Sequence, residues 1–253
     1  MVRSIALLGV ALLATTTIAE QPGLYEMRVY YPQPGKFEAM MSRFRDHTCA
    51  LFEKHGMQNI GYFVPTKDPQ SKLVYFLGFP NAAAREASWK AFIDDPAWQT
   101  AYKASEKDGP LVAKVESFLM QPTDFSPPFE PTASGGSAKV YELRDYTASK
   151  GNLAALQSRF RDHTCELFKK HGMTNVLYFT RIEGQPDADT KLVYLLAHDS
   201  EDAAKASFDA FRQDPKWVAA REASEKAAGG SLTAAENGVL SEFFTAADFS
   251  PLK

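Results

Sequence analysis

The chain has 253 residues, 45% hydrophobic and 23% charged, which excludes disordered and fibrous classes and leaves room for one large core or two small ones. A net charge of −3 shows no basic excess and argues against a nucleic-acid partner.

At the N-terminus Arg3 precedes the apolar run Ile5 to Leu13, and small residues lead to Ala19 before Glu20. That layout predicts a cleavable signal peptide over residues 1–19 and a secreted or periplasmic mature protein. The apolar run falls short of the roughly 20 residues a membrane span needs, so an anchor is the second reading, and no span is expected after cleavage.

Leu24 to Tyr30 alternates and is rich in aromatic and β-branched residues, predicting a strand. Pro32 and Pro34-Gly35 break the chain. From Phe37 to His55 the apolar residues fall on one face at helical spacing, and Gly56 provides the stop. Met57 to Val64 and Lys72 to Phe79 predict two more strands. Ala82 to Glu106 is helical, with Pro96 either breaking the helix or opening a new one, and Val115 to Met120 is a last strand. Gln121 to Lys139, rich in Pro, Ser and Gly, predicts a linker.

The pattern then repeats. Ser42 to Cys49 returns letter for letter as Ser158 to Cys165, and extended to Met57 and Met173 the match is 14 of 16 positions. Tyr25-Glu26-Met27-Arg28-Val29-Tyr30 pairs with Tyr141-Glu142-Leu143-Arg144-Asp145-Tyr146, Asp95-Pro96-Ala97-Trp98 with Asp214-Pro215-Lys216-Trp217, and Asp124-Phe125-Ser126-Pro127 with Asp248-Phe249-Ser250-Pro251. The expectation is two α+β units, 23–120 and 140–246, each a ferredoxin-like βαββαβ unit. Helices cover one face of such a sheet, so two units packed sheet to sheet would hide each other's open faces.

The Tyr-Glu-Leu/Met-Arg-x-Tyr strand, the helix ending His-Gly-Met and the Asp-Pro-x-Trp segment, in order and twice, resemble the NIPSNAP family. The resemblance implies an intrachain dimeric α/β barrel. It implies little about activity: the trafficking and mitochondrial roles proposed for organelle-targeted members do not transfer to a secreted tandem copy. The wider superfamily holds cofactor-free oxygenases, haem-degrading enzymes and stress-response barrels, an analogy of fold alone.

Alternation places Tyr25, Met27 and Val29 on one strand face and Glu26, Arg28 and Tyr30 on the other. If the apolar face meets the helices, Glu26, Arg28 and Tyr30 point between the sheets opposite Glu142, Arg144 and Tyr146, with Asn59 and Asn175 beside them. These eight are the candidate ligand-binding residues; a purely structural Glu–Arg network is the competing reading. His47 and His163, at the edge of the helical stripe, are candidate acid/base groups or haem ligands, or else boundary histidines bonded to a carboxylate or backbone. His55 and His171 are expected to cap helix ends. No metal site is expected, since His47 and His55 lie about 12 Å apart along a helix. Cys49 and Cys165, on opposite flanks, are expected to be free, half-buried thiols. Trp98 and Trp217 are expected to anchor cores. No motif demands a cofactor. Three functions remain open: binding of a small, partly apolar molecule between the sheets, a cofactor-independent or haem-linked oxygenase, and a protein-interaction module with a solid barrel. Association of further chains is also open.

Overall fold

The computed structural model describes residues 21–131 and 139–253. The expected signal peptide and the middle of the expected linker lie outside them. Among the described residues no helix is long and apolar enough to cross a membrane.

The first unit runs β1 (Leu24–Pro32), α1 (Phe37–Arg43), a π-helical turn (Phe44–Thr48), α2 (Cys49–Lys54), β2 (Gln58–Pro65), β3 (Leu73–Phe79), α3 (Ala82–Asp94), α4 (Pro96–Ser105) and β4 (Val112–Pro122). The second repeats it: β5 (Val140–Thr147), α5 (Leu153–Arg159), a π-helical turn (Phe160–Thr164), α6 (Cys165–Lys170), β6 (Thr174–Arg181), β7 (Lys191–His198), α7 (Glu201–Gln213), α8 (Pro215–Ala228) and β8 (Val239–Ala246). Pro96 opens a helix rather than breaking one: it takes the first position of α4, and the Asp95 carboxylate caps that helix by accepting the Ala97 N–H at 2.8 Å. Asp214 caps α8 in the same way.

The expected helix 37–55 is interrupted. At Phe44–Thr48 the hydrogen bonds widen, with the Cys49 N–H reaching Phe44 O and the Thr48 hydroxyl donating to Arg43 O at 3.0 Å. The second copy repeats this at Thr164. The extra residue in the turn sends Arg45, Asp46 and His47 into solvent and returns Thr48 to the core.

All strand pairs are antiparallel, and the eight strands close in the order β1-β3-β2-β8-β5-β7-β6-β4. The units are therefore two ferredoxin-like sheets joined edge to edge, through β2·β8 (Phe63↔Ala246) and β4·β6 (Met120↔Arg181), into one barrel. Closure removes every open strand edge.

Three cores result. One fills the barrel and draws on both units: Tyr25, Met27, Phe63, Phe76, Tyr141, Leu177, Phe179 and Phe244 are among its buried residues. Tyr25 meets Phe179 with ring centroids 4.8 Å apart, and Phe63 meets Tyr141 at 4.9 Å. The other two lie between each sheet and its own helices.

This corrects the expected orientation of the first strand. The alternation stands, but the faces are exchanged: Tyr25, Met27 and Val29 point into the barrel, while Glu26, Arg28 and Tyr30 face the helices, as do Glu142, Arg144 and Tyr146. A closed eight-strand barrel has an interior that side chains fill and water leaves. Apolar residues belong there, and the polar groups sit where helices supply partners.

Candidate functional site: an aromatic cleft behind the first sheet

Glu26 is fully buried and accepts hydrogen bonds from four residues. Arg85 grips it at 2.7 and 3.0 Å, Arg28 at 2.6 Å, the Trp89 indole N–H at 2.8 Å and the Ser117 hydroxyl at 2.7 Å. Burial opposes its charge, but the Arg85 bonds, the Arg28 charge and the Ser117 bond outweigh it and hold the carboxyl down at about 2. Arg28 lies over the Trp89 ring at 4.6 Å and the Tyr30 ring at 5.6 Å. In the second unit Ala204 replaces Arg85 and His198 replaces Phe79. The Glu142 carboxylate accordingly accepts from Arg144, Ser241 and the His198 Nε2–H, the last at 3.1 Å. Each copy thus gives its buried glutamate a second basic residue from a different strand or helix.

In front of this network, between α1–α4 and the start of β4, lies a cleft of about 290 Å³. Tyr30, Phe44, Phe52, Trp89, Phe92, Trp98 and Tyr102 supply aromatic walls, and Val112 to Val115 form a rim. The rings hold one another: Phe92 and Trp98 are 4.4 Å apart, Phe52 and Trp89 5.4 Å, Tyr30 and Phe44 5.6 Å. Arg43, which α1 presents inward, reaches this wall with only 5% of its surface exposed. Its guanidinium lies over Trp98 at 5.5 Å and Tyr102 at 5.4 Å and donates to Ser105 Oγ at 3.2 Å and Glu106 Oε1 at 3.1 Å. Its buried Nε has no partner among the described residues. The cleft can take a small, flat, mostly apolar molecule bearing a hydrogen-bond acceptor.

Of the eight expected binding residues, Tyr30 lines the cleft and Arg28 and Glu26 stand behind its wall. Asn59 and Asn175 tie helix to strand: each donates to the backbone of a cysteine, Cys49 O at 3.0 Å or Cys165 O at 2.8 Å, and accepts a tyrosine hydroxyl, Tyr62 or Tyr178; Asn175 also lines a separate hollow of about 510 Å³ beside Tyr141, Ala197 and Leu252 of the barrel core. His47 and His163 are exposed on the π-helical turns and neither lines the cleft. His55 and His171 bond Asp95 and Asp214, the caps of the next helices, at 2.7 and 2.8 Å rather than their own helices' last carbonyls. These partners, with Lys54 or Lys170 and a backbone N–H, hold both carboxyls well below the usual range. Cys49 and Cys165 are free, and burial pushes both thiols up to about 11. Among the described residues no group of three or more His, Cys, Asp and Glu is placed to hold a metal. Arg43, Arg85, Trp89, Tyr102 and His198 escaped the sequence reading; the unequal pairs Arg85/Ala204, Phe79/His198 and Tyr102/Arg221, visible on aligning the copies, were the available signal.

The solved structures similar to this chain include a NIPSNAP-like domain protein of Burkholderia xenovorans, 22% identical with a TM-score of 0.38 over 44% of this chain and 95% of that one. Two others span nearly the whole barrel at 10% identity: a provisionally named monooxygenase of Fusobacterium nucleatum, TM-score 0.55 over 90% of this chain and 94% of that one, and another of Lactobacillus acidophilus, TM-score 0.53 with the same coverage. These two share the fold of dimeric α/β-barrel proteins. No curated protein matches the chain. The NIPSNAP family model matches twice, over residues 25–127 and 141–251, and the chain belongs to the NIPSNAP family as a tandem member.

Proposed function

We propose that this NIPSNAP-domain protein binds a small, partly apolar molecule, and that the molecule sits in the aromatic cleft of the first unit rather than between the sheets, where side chains occupy the middle of the barrel. The observation that carries this is the pairing of seven aromatic walls with a nearly buried Arg43 whose Nε lacks a partner among the described residues. Apolar walls with a few fixed polar groups are the usual make-up of a small-molecule site. Arg28 and Arg43 already lie over the faces of Trp89, Tyr30, Trp98 and Tyr102, which disfavours a cationic ligand and favours a flat neutral or anionic one. We further propose export from the cytoplasm after cleavage near Ala19, which N-terminal sequencing of the mature protein tests.

The oxygenase reading rests on likeness of fold and gains no residue from the cleft. Native mass spectrometry and absorbance spectra of the purified chain test the binding reading. A bound mass that disappears on Trp98→Ala supports it. A bare polypeptide that also fails to take up an added flat aromatic acid such as 2-naphthoate overturns it.

A further inference from the structure

The two copies use one arginine of the first strand differently. In the second unit Arg144 donates from Nε to the Tyr194 hydroxyl at 2.9 Å and from Nη2 to the Tyr146 hydroxyl at 3.1 Å. The corresponding residues of the first unit are Arg28, Tyr75 and Tyr30, and Arg28 makes neither bond. It donates only from Nη1, to Glu26 at 2.6 Å, and its guanidinium lies over the Trp89 ring at 4.6 Å. The Arg28 Nε and the Tyr75 hydroxyl are both buried and without a hydrogen-bond partner among the described residues. A buried donor and a buried hydroxyl, paired in one copy and parted in the copy that carries the cleft, call for an oxygen atom from elsewhere.

Charge points the same way. Glu26 pairs with both Arg28 and Arg85, and among the described residues neither arginine forms another ion pair. One positive charge is therefore left over behind the cleft. In the second unit Ala204 takes the place of Arg85, and Glu142 faces a single guanidinium. Tyr30 and Trp89 line the cleft, and Arg28, its side chain 17% exposed, is stacked on both rings. Tyr75 packs on Tyr30 with ring centroids 5.3 Å apart. An oxygen entering between those two walls meets Arg28 first, with Tyr75 behind it.

We propose that Arg28 and Tyr75 form an oxyanion site at the inner end of the cleft, which takes the ionised oxygen of a flat phenol or enol. The inference rests on the cleft as the ligand's place and adds the chemical class of the ligand. One N–H and one O–H beside a surplus positive charge suit a single charged oxygen, whereas the two oxygens of a carboxylate ask for a guanidinium fork. Such donors favour the anion over the neutral phenol, so the ligand becomes a stronger acid when bound.

Absorbance titration of 4-nitrophenol, whose anion is yellow, against pH with and without the full chain tests the proposal; 4-nitroanisole is the analogue with no proton to lose. The nitrophenolate should bind about tenfold or more tighter than nitroanisole, and nitrophenol should dissociate about tenfold or more strongly when bound. Tyr75→Phe keeps the ring stack and removes a hydroxyl that holds no structural partner. It should erase most of both differences while leaving nitroanisole binding intact and thermal stability unchanged or raised. Tyr194→Phe, whose hydroxyl is engaged by Arg144, should leave both differences in place. Equal binding of the two probes, or differences that survive Tyr75→Phe, overturn the oxyanion site and leave the cleft as a binding site. Uptake of neither probe overturns the two together.

Discussion

The guanidinium of Arg45 clasps the carboxylate of Asp248 through two hydrogen bonds of 2.8 and 2.9 Å, joining the π-helical turn of the first unit to the tail of the second. Arg161 and Asp124 repeat the pair in the other direction, both bonds at 2.7 Å. Each Asp-Phe-Ser-Pro segment therefore docks on the unit it does not belong to. The Ser250 hydroxyl accepts the Tyr62 N–H and the Ser126 hydroxyl the Tyr178 N–H, both at 3.0 Å. Arg45 and Arg161 also lie over Phe249 and Phe125.

This exchange ranks two substitutions. Asp248 is exposed, so Asp248→Ala should cost under about 1 kcal/mol and less still at high salt. Ser250→Ala leaves a buried N–H unpaired and should cost about 1–3 kcal/mol with little salt dependence. Urea unfolding of the two variants at low and high salt measures the order; equal costs, or a salt-sensitive Ser250→Ala, contradict it.

The shared barrel core makes the halves one cooperative unit. Phe179→Ala removes a ring packed on Tyr25 and Phe76 of the other unit and should cost about 3–5 kcal/mol. Because Trp89 and Trp98 report on the first unit and Trp217 on the second, tryptophan fluorescence and far-ultraviolet circular dichroism should give coincident transitions in the wild type and this variant. Two separated transitions would mean independent domains.

Glu26 ties stability to pH. Its carboxyl is held down at about 2 in the folded chain, below its ordinary value near 4.5. A depressed folded-state pKa contributes stability that is complete above the unfolded value and is lost as pH falls toward the folded one. The wild type should lose stability between about pH 4.5 and pH 2. Glu26→Gln strands Arg28 and Arg85 and should cost about 3–5 kcal/mol at neutral pH. Its penalty should shrink as the pH falls through that window, which unfolding curves at several pH values would reveal; a constant penalty would place the stabilising charge elsewhere.

The duplication, the strand and helix order and the closed pairing of two sheets were legible, because repeats and hydrophobic period survive in a single sequence. The first-strand faces were not. Alternation separates Tyr25, Met27 and Val29 from Glu26, Arg28 and Tyr30 but does not say which set is inside, and here both faces are largely covered. Polarity pointed the wrong way because Arg85 and Trp89, which satisfy Glu26, lie about sixty residues along the chain. The π-helical turn was hidden for a related reason: a wheel drawn at a fixed angle cannot register an added residue, so His47 was placed beside the apolar stripe instead of in solvent. The cross-unit docking of Asp248 on Arg45 spans 203 positions and leaves no local pattern beyond the motif's recurrence.

The location of the ligand is the claim on which most depends. Titration with 2-naphthoate, followed by quenching of Trp89 and Trp98, tests it when Ala113→Trp, which obstructs the cleft rim, is compared with Leu177→Met inside the barrel. The account predicts saturable quenching in the wild type and in Leu177→Met, and at least tenfold weaker binding in Ala113→Trp. Retained affinity in Ala113→Trp with loss in Leu177→Met would put the ligand between the sheets and contradict it.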